Sequence, residues 1–259
     1  MNTVISNDGT KLAYNIFRNG PPLIYITGAT CFRNFTPVLY DSSVFATEFK
    51  VYNYDRRGRG DSKNKLPYSR ERELEDIIAL IDKAGGKASL YGHSSGAILA
   101  LEVAMMMEDK VEKIALYDCS YSPNKKEQNE FINLGNNLRK YLEQGKYEEA
   151  INRFYLGIGL PAEAFIYFRQ SPDWSTMVAL APTLAYDIRL ASDIPPVESL
   201  ADFKVPTHII VGENSPQSIY SVADQLKKSI TDATFTKLKG QDHMPDPESV
   251  LGELTKFLK

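Results

Sequence analysis

Short apolar runs alternate with longer amphipathic stretches along much of the chain, and this alternation predicts the fold class. Residues 23–27 form a continuous apolar run, and residues 49–54, 87–92, 111–117 and 206–212 are predicted as further strands. Runs of that length without polar alternation are typical of strands buried on both faces of a parallel sheet. Between two of them, residues 70–84 have apolar side chains at helical spacing, which predicts an amphipathic helix. The pattern therefore favours an α/β protein whose mostly parallel sheet carries helices on both faces.

The two ends of the chain extend this arrangement. Near the N-terminus, Asp8-Gly9 is a strong turn signal that predicts a β-hairpin of residues 3–6 and 11–18. Near the C-terminus the predicted order is helix 219–229, strand 234–238 and helix 247–258. Strand and helix thus alternate again before the chain ends, and we expect both ends to belong to one core.

The segment between these parts has helical apolar spacing and no strand-like run. One apolar face is formed by Phe131, Leu134, Leu138 and Tyr141. Gly145 ends that helix, and a second helix follows in which Tyr147, Ile151 and Phe154 resume the spacing. Pro161 is placed to start a third helix, and Pro182 interrupts or starts a fourth. We therefore expect residues 1–122 and 197–259 to form the core and residues 123–196 to form a helical insertion over the sheet.

Composition and charge place the chain among ordinary globular proteins. With 259 residues, of which 43% are apolar, it is long enough for one sizeable core with an insertion. A net charge of −3 and a basic cluster limited to Arg56, Arg57 and Arg59 argue against a nucleic-acid partner. No apolar stretch approaches the roughly 20 residues needed to span a bilayer. We expect a cytoplasmic monomer or homodimer with a small-molecule substrate and no membrane attachment.

The two cysteines, Cys31 and Cys119, lack the Cys-x-x-Cys spacing of many metal and redox sites. Two isolated thiols predict neither a disulfide framework nor a zinc site. No Gly-x-Gly-x-x-Gly follows a predicted strand to suggest a dinucleotide. The sequence therefore predicts no cofactor and no metal.

The clearest chemical signal is Gly92-His93-Ser94-Ser95-Gly96, between a predicted strand and a predicted helix. A serine on so tight a turn is held in a strained backbone conformation with its hydroxyl exposed above the sheet. Such a turn requires almost no side chain two positions before and two after the serine, and both positions are glycine. The helix N-terminus directs the Ser95 amide to where an oxyanion would form, so Ser94 is the predicted nucleophile.

Four signals in order resemble the α/β-hydrolase superfamily over nearly the whole chain. They are Gly28 after the third strand, Asp55-x-Arg57-Gly58-x-Gly60-x-Ser62 after the fourth, Gly92-x-Ser94-x-Gly96 after the fifth, and Gly240-x-x-His243 near the end. The resemblance implies a mostly parallel eight-stranded sheet, with the helical insertion as a cap domain. Within the superfamily, the chain is similar to small capped bacterial esterase-like serine hydrolases.

The base is predicted from the three histidines of the chain. His93 lies inside the serine turn, and His208 lies within a predicted strand. His243 lies in a loop between the last strand and the last helix, from which it can reach Ser94. We therefore predict that His243 is the base.

The chain departs from the superfamily pattern at two positions. Many relatives have His-Gly where this chain has Thr27-Gly28, but an oxyanion-hole donor is main chain, so the amides of Ala29 and Ser95 are predicted to form the hole. Relatives also place an acidic residue three positions beyond the strand that ends at Gly212, where this chain has Ser215. The acid that orients the histidine is therefore predicted elsewhere.

Asp118 is the predicted acid. It stands at the C-terminal end of strand 111–117, the sheet edge where catalytic groups of open α/β folds gather. Some superfamily members, certain haloalkane dehalogenases among them, resemble this segment and have their acid there. Glu213 competes, although it directly follows its strand and would have to turn back, while Asp242 lies beside His243 and points away. A role for Asp118 in capping loop amides is the structural alternative.

The predicted reaction is hydrolysis of an ester, thioester or related acyl bond of a small apolar molecule. The candidate substrate-contacting residues are His93, Trp174, Thr183, Tyr186 and Asp187. Abundant aromatic side chains in the insertion favour a compact apolar or aromatic substrate group. A cofactor-free haloperoxidase or perhydrolase-like enzyme would use the same three residues. A non-catalytic ligand receptor on this fold is the alternative from a different class.

Overall fold

A computed structural model describes residues 1–122, 124–160, 162–192, 200 and 202–259, which include an eight-stranded sheet. Its strands are β1 (Asn2–Ile5), β2 (Lys11–Phe17), β3 (Pro22–Ile26), β4 (Lys50–Tyr54), β5 (Ala88–His93), β6 (Val111–Tyr117), β7 (Thr207–Gly212) and β8 (Thr234–Leu238). Their order across the sheet is β1-β2-β4-β3-β5-β6-β7-β8. The pairs β1·β2 and β2·β4 are antiparallel, and all the other pairs are parallel. The carboxyl ends of β3 to β8 therefore meet at one edge.

Ten α-helices are present among the described residues. They are α1 (Thr36–Phe45), α2 (Arg70–Ala84), α3 (Ser95–Met106), α4 (Lys125–Glu143), α5 (Tyr147–Gly157), α6 (Ala162–Gln170), α7 (Trp174–Ala179), α8 (Leu184–Ser192), α9 (Gln217–Ser229) and α10 (Pro247–Leu258). On one face of the sheet, Ile77 of α2, Leu99 of α3 and Val222 of α9 are fully buried. On the other face, Phe45 of α1 and Leu254 of α10 belong to a second apolar cluster. The sheet thus carries helices on both faces, as predicted.

Strand β5 occupies the middle of the sheet. It lies between β3 and β6, and every residue from Ala88 to His93 is buried. A central strand of a parallel sheet that carries helices on both faces has no face toward water. The turn that follows β5 is consequently central at the carboxyl edge.

Helix α1 is not predicted from the sequence. Its buried residues are Val38, Ser42, Val44 and Phe45. Because one of these positions is a serine, the apolar residues do not mark a clear helical face. The Ser42 hydroxyl donates to the Val38 carbonyl oxygen at 2.7 Å and accepts from the Asn53 amide at 3.0 Å, so its burial leaves no unsatisfied polar group.

The insertion contains one more helix than predicted, namely α7. Pro182 lies in a 3-10 turn at Ala181–Thr183 that interrupts the helices between α7 and α8, which is one of the two roles predicted for it. We call α4–α8 the cap helices. Pro123, Pro161 and the predicted boundary at residues 196–197 lie outside the described residues, so the division into core and cap domain stays a prediction. Helix α4 packs against α8, and α8 packs against α3. The cap helices therefore contact the core beside the helix that follows Ser94.

Candidate active site

Ser94 lies on the turn between β5 and α3, with φ of 58° and ψ of −124°. A positive φ is uncommon for a serine and marks a strained backbone. A methyl group on Gly92 would lie 2.5 Å from Ala97 Cα, and one on Gly96 would overlap the Ile26 carbonyl oxygen. The two glycines are therefore required for the close packing that holds the turn.

His243 connects Ser94 to a buried carboxylate. Its Nε2 lies 3.1 Å from Ser94 Oγ, and its Nδ1 lies 2.9 Å from Asp118 Oδ2. The serine turn, the loop between β8 and α10, and the end of β6 each supply one of these residues. An imidazole held in this way can accept the serine proton at Nε2 while the carboxylate stabilises the positive charge that develops on the ring.

Asp118 is completely buried and has φ of 46°. Its Oδ1 accepts a hydrogen bond from the Gly212 amide at 3.1 Å, and its Oδ2 accepts one from Ser215 Oγ at 2.6 Å. Ser215 is the residue found where relatives place their acid, and here it donates to an acid from the neighbouring strand. Within the described residues, the ion-pair partner of Asp118 is His243 rather than an arginine or a lysine.

The two competing carboxylates point elsewhere. Glu213 accepts a hydrogen bond from the Gly240 amide at 2.9 Å, which lowers the pKa of its carboxyl group. Asp242 accepts one from the Met244 amide at 2.7 Å. The structure therefore brings Asp118, and neither of these residues, to the Nδ1 side of His243.

Two further residues lie beside the hydrogen bonds that join Ser94, His243 and Asp118. His93 Nε2 lies 2.8 Å from the His243 carbonyl oxygen. Burial, and then the nearby His243 ring, lower the pKa of His93 to about 4, so at neutral pH an uncharged ring donates from Nε2 and supports the His243 backbone. Ser120 Oγ lies 3.1 Å from Ser94 Oγ and donates to the Asp118 carbonyl oxygen at 3.0 Å. Sequence reasoning missed Ser120, whose only signal is its place two residues beyond Asp118.

Comparison with known proteins shows the family of the chain. A sequence model of the alpha/beta hydrolase family matches residues 23–252. The chain belongs to the alpha/beta hydrolase family.

Three relatives illustrate the family likeness. The crystal structure of an alpha/beta hydrolase from Sphaerobacter thermophilus DSM 20745 is 32% identical, covers 100% of both chains and has a TM-score of 0.88. The AB hydrolase superfamily protein YclE of Bacillus subtilis (strain 168) is 24% identical over 98% of each chain. A pimeloyl-[acyl-carrier protein] methyl ester esterase of Nitrosospira multiformis is 25% identical, over 83% of this chain and 86% of its own. Family and relatives together show a hydrolase enzyme, as the sequence predicted.

In this alpha/beta hydrolase, the two predicted oxyanion-hole residues belong to backbone segments close to Ser94. A methyl group on Gly28 would lie 3.0 Å from Ser94 Cβ, so the backbone that leads into Ala29 approaches the serine closely. Ser95 is the first residue of α3, where a backbone amide has no acceptor within the helix. These positions are compatible with the predicted oxyanion hole, and the role of the Ala29 and Ser95 amides stays a prediction.

The cap residues predicted to contact substrate have partners within the protein. Thr183 is buried, and its hydroxyl donates to a main-chain carbonyl oxygen 2.8 Å away. Tyr186 stacks on Tyr68 with ring centroids 3.9 Å apart. Trp174 Nε1 donates to Glu148 at 3.4 Å. Substrate contact by these residues, and by His93 and Asp187, stays a prediction.

The arginines that follow β4 are interior residues, although the sequence indicated only an interrupted basic cluster. Arg56 pairs with Glu73 and Asp187, each at 2.8 Å. Arg59 pairs with Asp187 at 2.7 Å. The carboxylate of Asp187 also accepts a hydrogen bond from Ser95 Oγ at 2.7 Å. We call Arg56, Arg59, Glu73 and Asp187 the arginine cluster.

Cys31 and Cys119 are free, and burial raises the pKa of the Cys31 thiol to about 12. Across the ranges that the structure describes, no three His, Cys, Asp or Glu side chains are grouped so that they could hold a metal ion. No helix in those ranges combines the length and the apolar character that crossing a membrane requires.

Proposed function

We propose that this protein is a serine hydrolase that cleaves an ester or related acyl bond of a small apolar molecule through Ser94, His243 and Asp118. The observation that carries the proposal is the hydrogen-bonded line in which His243 lies 3.1 Å from Ser94 Oγ and 2.9 Å from Asp118 Oδ2. Hydroxyl, imidazole and carboxylate in this order make up the apparatus of nucleophilic acyl transfer.

In the first half of the reaction, Ser94 Oγ attacks the substrate carbonyl carbon while His243 Nε2 accepts the hydroxyl proton. The carbonyl oxygen becomes an oxyanion, which the amides of Ala29 and Ser95 bind. When the intermediate collapses, the bond to the leaving alcohol breaks, and that oxygen takes the proton from His243 Nε2. Ser94 then carries the acyl group as an ester.

In the second half, water attacks the acyl carbon and gives its proton to His243 Nε2. The second tetrahedral intermediate collapses with release of the carboxylic acid, and the Ser94 oxygen recovers a proton from His243. Asp118 accepts the hydrogen bond of Nδ1–H throughout, which fixes the tautomer that leaves Nε2 free to act as base.

A compact substrate group is the second part of the proposal. In the cap helices, Tyr155 lies 5.1 Å from Phe168, and Phe165 lies 5.2 Å from Trp174, measured between ring centroids. The Tyr155 hydroxyl lies 2.7 Å from Thr30 Oγ1, which brings these rings close to the loop of Ala29. Stiff aromatic rings beside the site favour small rigid groups over long acyl chains.

The test is a panel of p-nitrophenyl esters of increasing acyl length, assayed with the purified protein and with Ser94→Ala. We expect acetyl and butyryl esters to be hydrolysed faster than long-chain esters, and no turnover by the variant. Retained turnover in Ser94→Ala would contradict the serine mechanism. Faster turnover of long-chain esters would contradict only the compact substrate, and no turnover of any ester would favour a receptor role.

A further inference from the structure

Asp187 joins the cap helices to the peptide units around Ser94. It is a residue of α8, and it is 3% exposed. Its Oδ1 accepts from Ser95 Oγ at 2.7 Å and from Arg56 Nη1 at 2.8 Å, while its Oδ2 accepts from Arg59 Nη2 at 2.7 Å. One cap carboxylate is therefore bonded directly to the residue whose amide is the first candidate oxyanion donor.

The second candidate donor is reached through Arg59. Arg59 Nη1 donates to the Gly28 carbonyl oxygen at 2.6 Å, while its other terminal nitrogen binds Asp187. The Gly28–Ala29 peptide is trans. In a trans peptide the C=O and the N–H point to opposite sides, so an arginine that fixes the Gly28 oxygen also fixes the direction of the Ala29 N–H.

A further hydrogen-bonded link joins the cap helices to the same loop. Thr30 Oγ1 donates to the Ala29 carbonyl oxygen at 2.7 Å and lies 2.7 Å from the hydroxyl of Tyr155, a residue of α5. Thr30 itself has φ of 58°, so the loop is strained as well as hydrogen-bonded. Both peptide planes of Ala29 are thus tied to side chains that contact the cap helices.

Two arginine charges keep the Asp187 carboxylate ionised and strengthen its hydrogen bonds. Burial by itself would raise the pKa of Asp187, but Arg59 and then Arg56 outweigh burial and hold the pKa below its usual value. The carboxylate is therefore ionised at neutral pH, and its hydrogen bonds to the arginines and to Ser95 are charge-assisted and short.

We propose that Asp187 is a positioning residue that orients both oxyanion-hole amides, that of Ser95 directly and that of Ala29 through Arg59, so that the hole is assembled when α8 is seated on the core. This inference rests on the proposed function. A purely structural ion pair would affect only the stability of the fold. The proposed role also gives Asp187 an effect on the free energy of the transition state.

The test compares Asp187→Asn with Asp76→Asn. Asp76 is a matched control, because it is a carboxylate only 1% exposed that binds Arg57, a neighbour of Arg56, at 2.7 Å. Complete removal of an oxyanion donor lowers kcat about 100- to 1000-fold, so we expect Asp187→Asn, which only misorients donors, to lower kcat about 10- to 100-fold. KM should change less than about threefold, because the interaction is made in the transition state. We expect Asp76→Asn to lower Tm but to keep kcat.

A trifluoromethyl ketone inhibitor supplies a readout that folding does not move, because its adduct with Ser94 carries an oxyanion. In Asp187→Asn its inhibition constant should rise by the same factor by which kcat/KM falls. An unchanged inhibition constant, or equal losses of kcat in the Asp187 and Asp76 variants, would overturn the proposal.

Ser95→Ala serves where Asp187→Asn does not fold, because it removes the hydroxyl that Asp187 binds and keeps the amide. We expect kcat to fall about three- to tenfold with KM unchanged, a part of the loss of a whole donor. Wild-type kcat in this variant would overturn the proposal. A wild-type protein that neither hydrolyses esters nor reacts with a fluorophosphonate would instead contradict the proposed function itself.

Discussion

Two buried carboxylates near the serine turn, Asp118 at the end of β6 and Asp187 on cap helix α8, differ in the charge of their partners. Asp118 is held by the Gly212 amide and the Ser215 hydroxyl, both neutral, and faces His243. Asp187 is bound by two guanidinium groups. A carboxylate neutralised by two permanent cations adds little stabilisation to a forming imidazolium, whereas one held by neutral donors adds much. The partners, and not the degree of burial, therefore separate the two roles.

Asp118→Asn is the substitution with the largest expected effect. An asparagine at this position can hold His243 in the wrong tautomer, and we expect kcat on a short p-nitrophenyl ester to fall about 10⁴-fold. Steady-state kinetics on the folded variant check this. Near-wild-type kcat would contradict the catalytic role that distinguishes Asp118 from Asp187.

Asp187→Ala tests whether the carboxylate bound by two arginines contributes more to stability than Asp118 does. Removing one partner of a buried ion pair leaves a charge uncompensated, and we expect the free energy of unfolding to fall by about 3–5 kcal/mol. Asp118→Ala should cost less, because its remaining partners are neutral or partly exposed. Urea denaturation followed by circular dichroism gives both values, and equal losses would contradict the account.

His93 sharpens the comparison through pH. Its pKa falls from 6.5 in the unfolded chain to about 4 in the folded protein, so the unfolded chain binds more protons between these values. Stability should therefore be lost as pH falls from 6.5 to 4, with a contribution from His93 of about 3 kcal/mol. In His93→Gln, which keeps a donor for the His243 carbonyl, this part of the pH dependence should vanish. If the urea midpoint shifts by the same amount between pH 7 and pH 4 in the wild type and in His93→Gln, this prediction is wrong.

Glu213→Gln is the matched control for Asp118→Asn and has the smallest expected effect. Because the Glu213 carboxylate binds the Gly240 amide rather than the His243 ring, kcat should change less than about twofold. A large loss of kcat in this variant, with Asp118→Asn active, would move the acid to the end of β7.

The central sheet and the serine turn are predictable from the sequence because their causes are local. Apolar runs without alternation predict buried parallel strands, and paired glycines around Ser94 meet a steric demand of the turn itself. Asp118 was also reachable, since parallel strands bring their carboxyl ends to one edge although 125 residues separate it from His243.

The arginine cluster was not predictable, because its causes are distant in the chain. Arg56 binds Glu73, 17 residues away, and Asp187, 131 residues away. Local sequence shows three arginines around a glycine. It does not show that the fold brings Glu73 of α2 and Asp187 of α8 to them inside the protein. Helix α1 was missed for a related reason, since the buried hydroxyl of Ser42 is satisfied by Asn53 from a different element.

Reaction with a fluorophosphonate probe, followed by mapping of the modified peptide by mass spectrometry, tests the central claim most directly. It requires no knowledge of the substrate, because a nucleophilic serine with a paired histidine reacts at phosphorus as it would at a carbonyl carbon. We predict one adduct, on Ser94, whose rate of formation falls sharply in His243→Ala and in Asp118→Asn. An adduct on a different residue, or a rate at Ser94 that is unchanged without His243, would contradict the account.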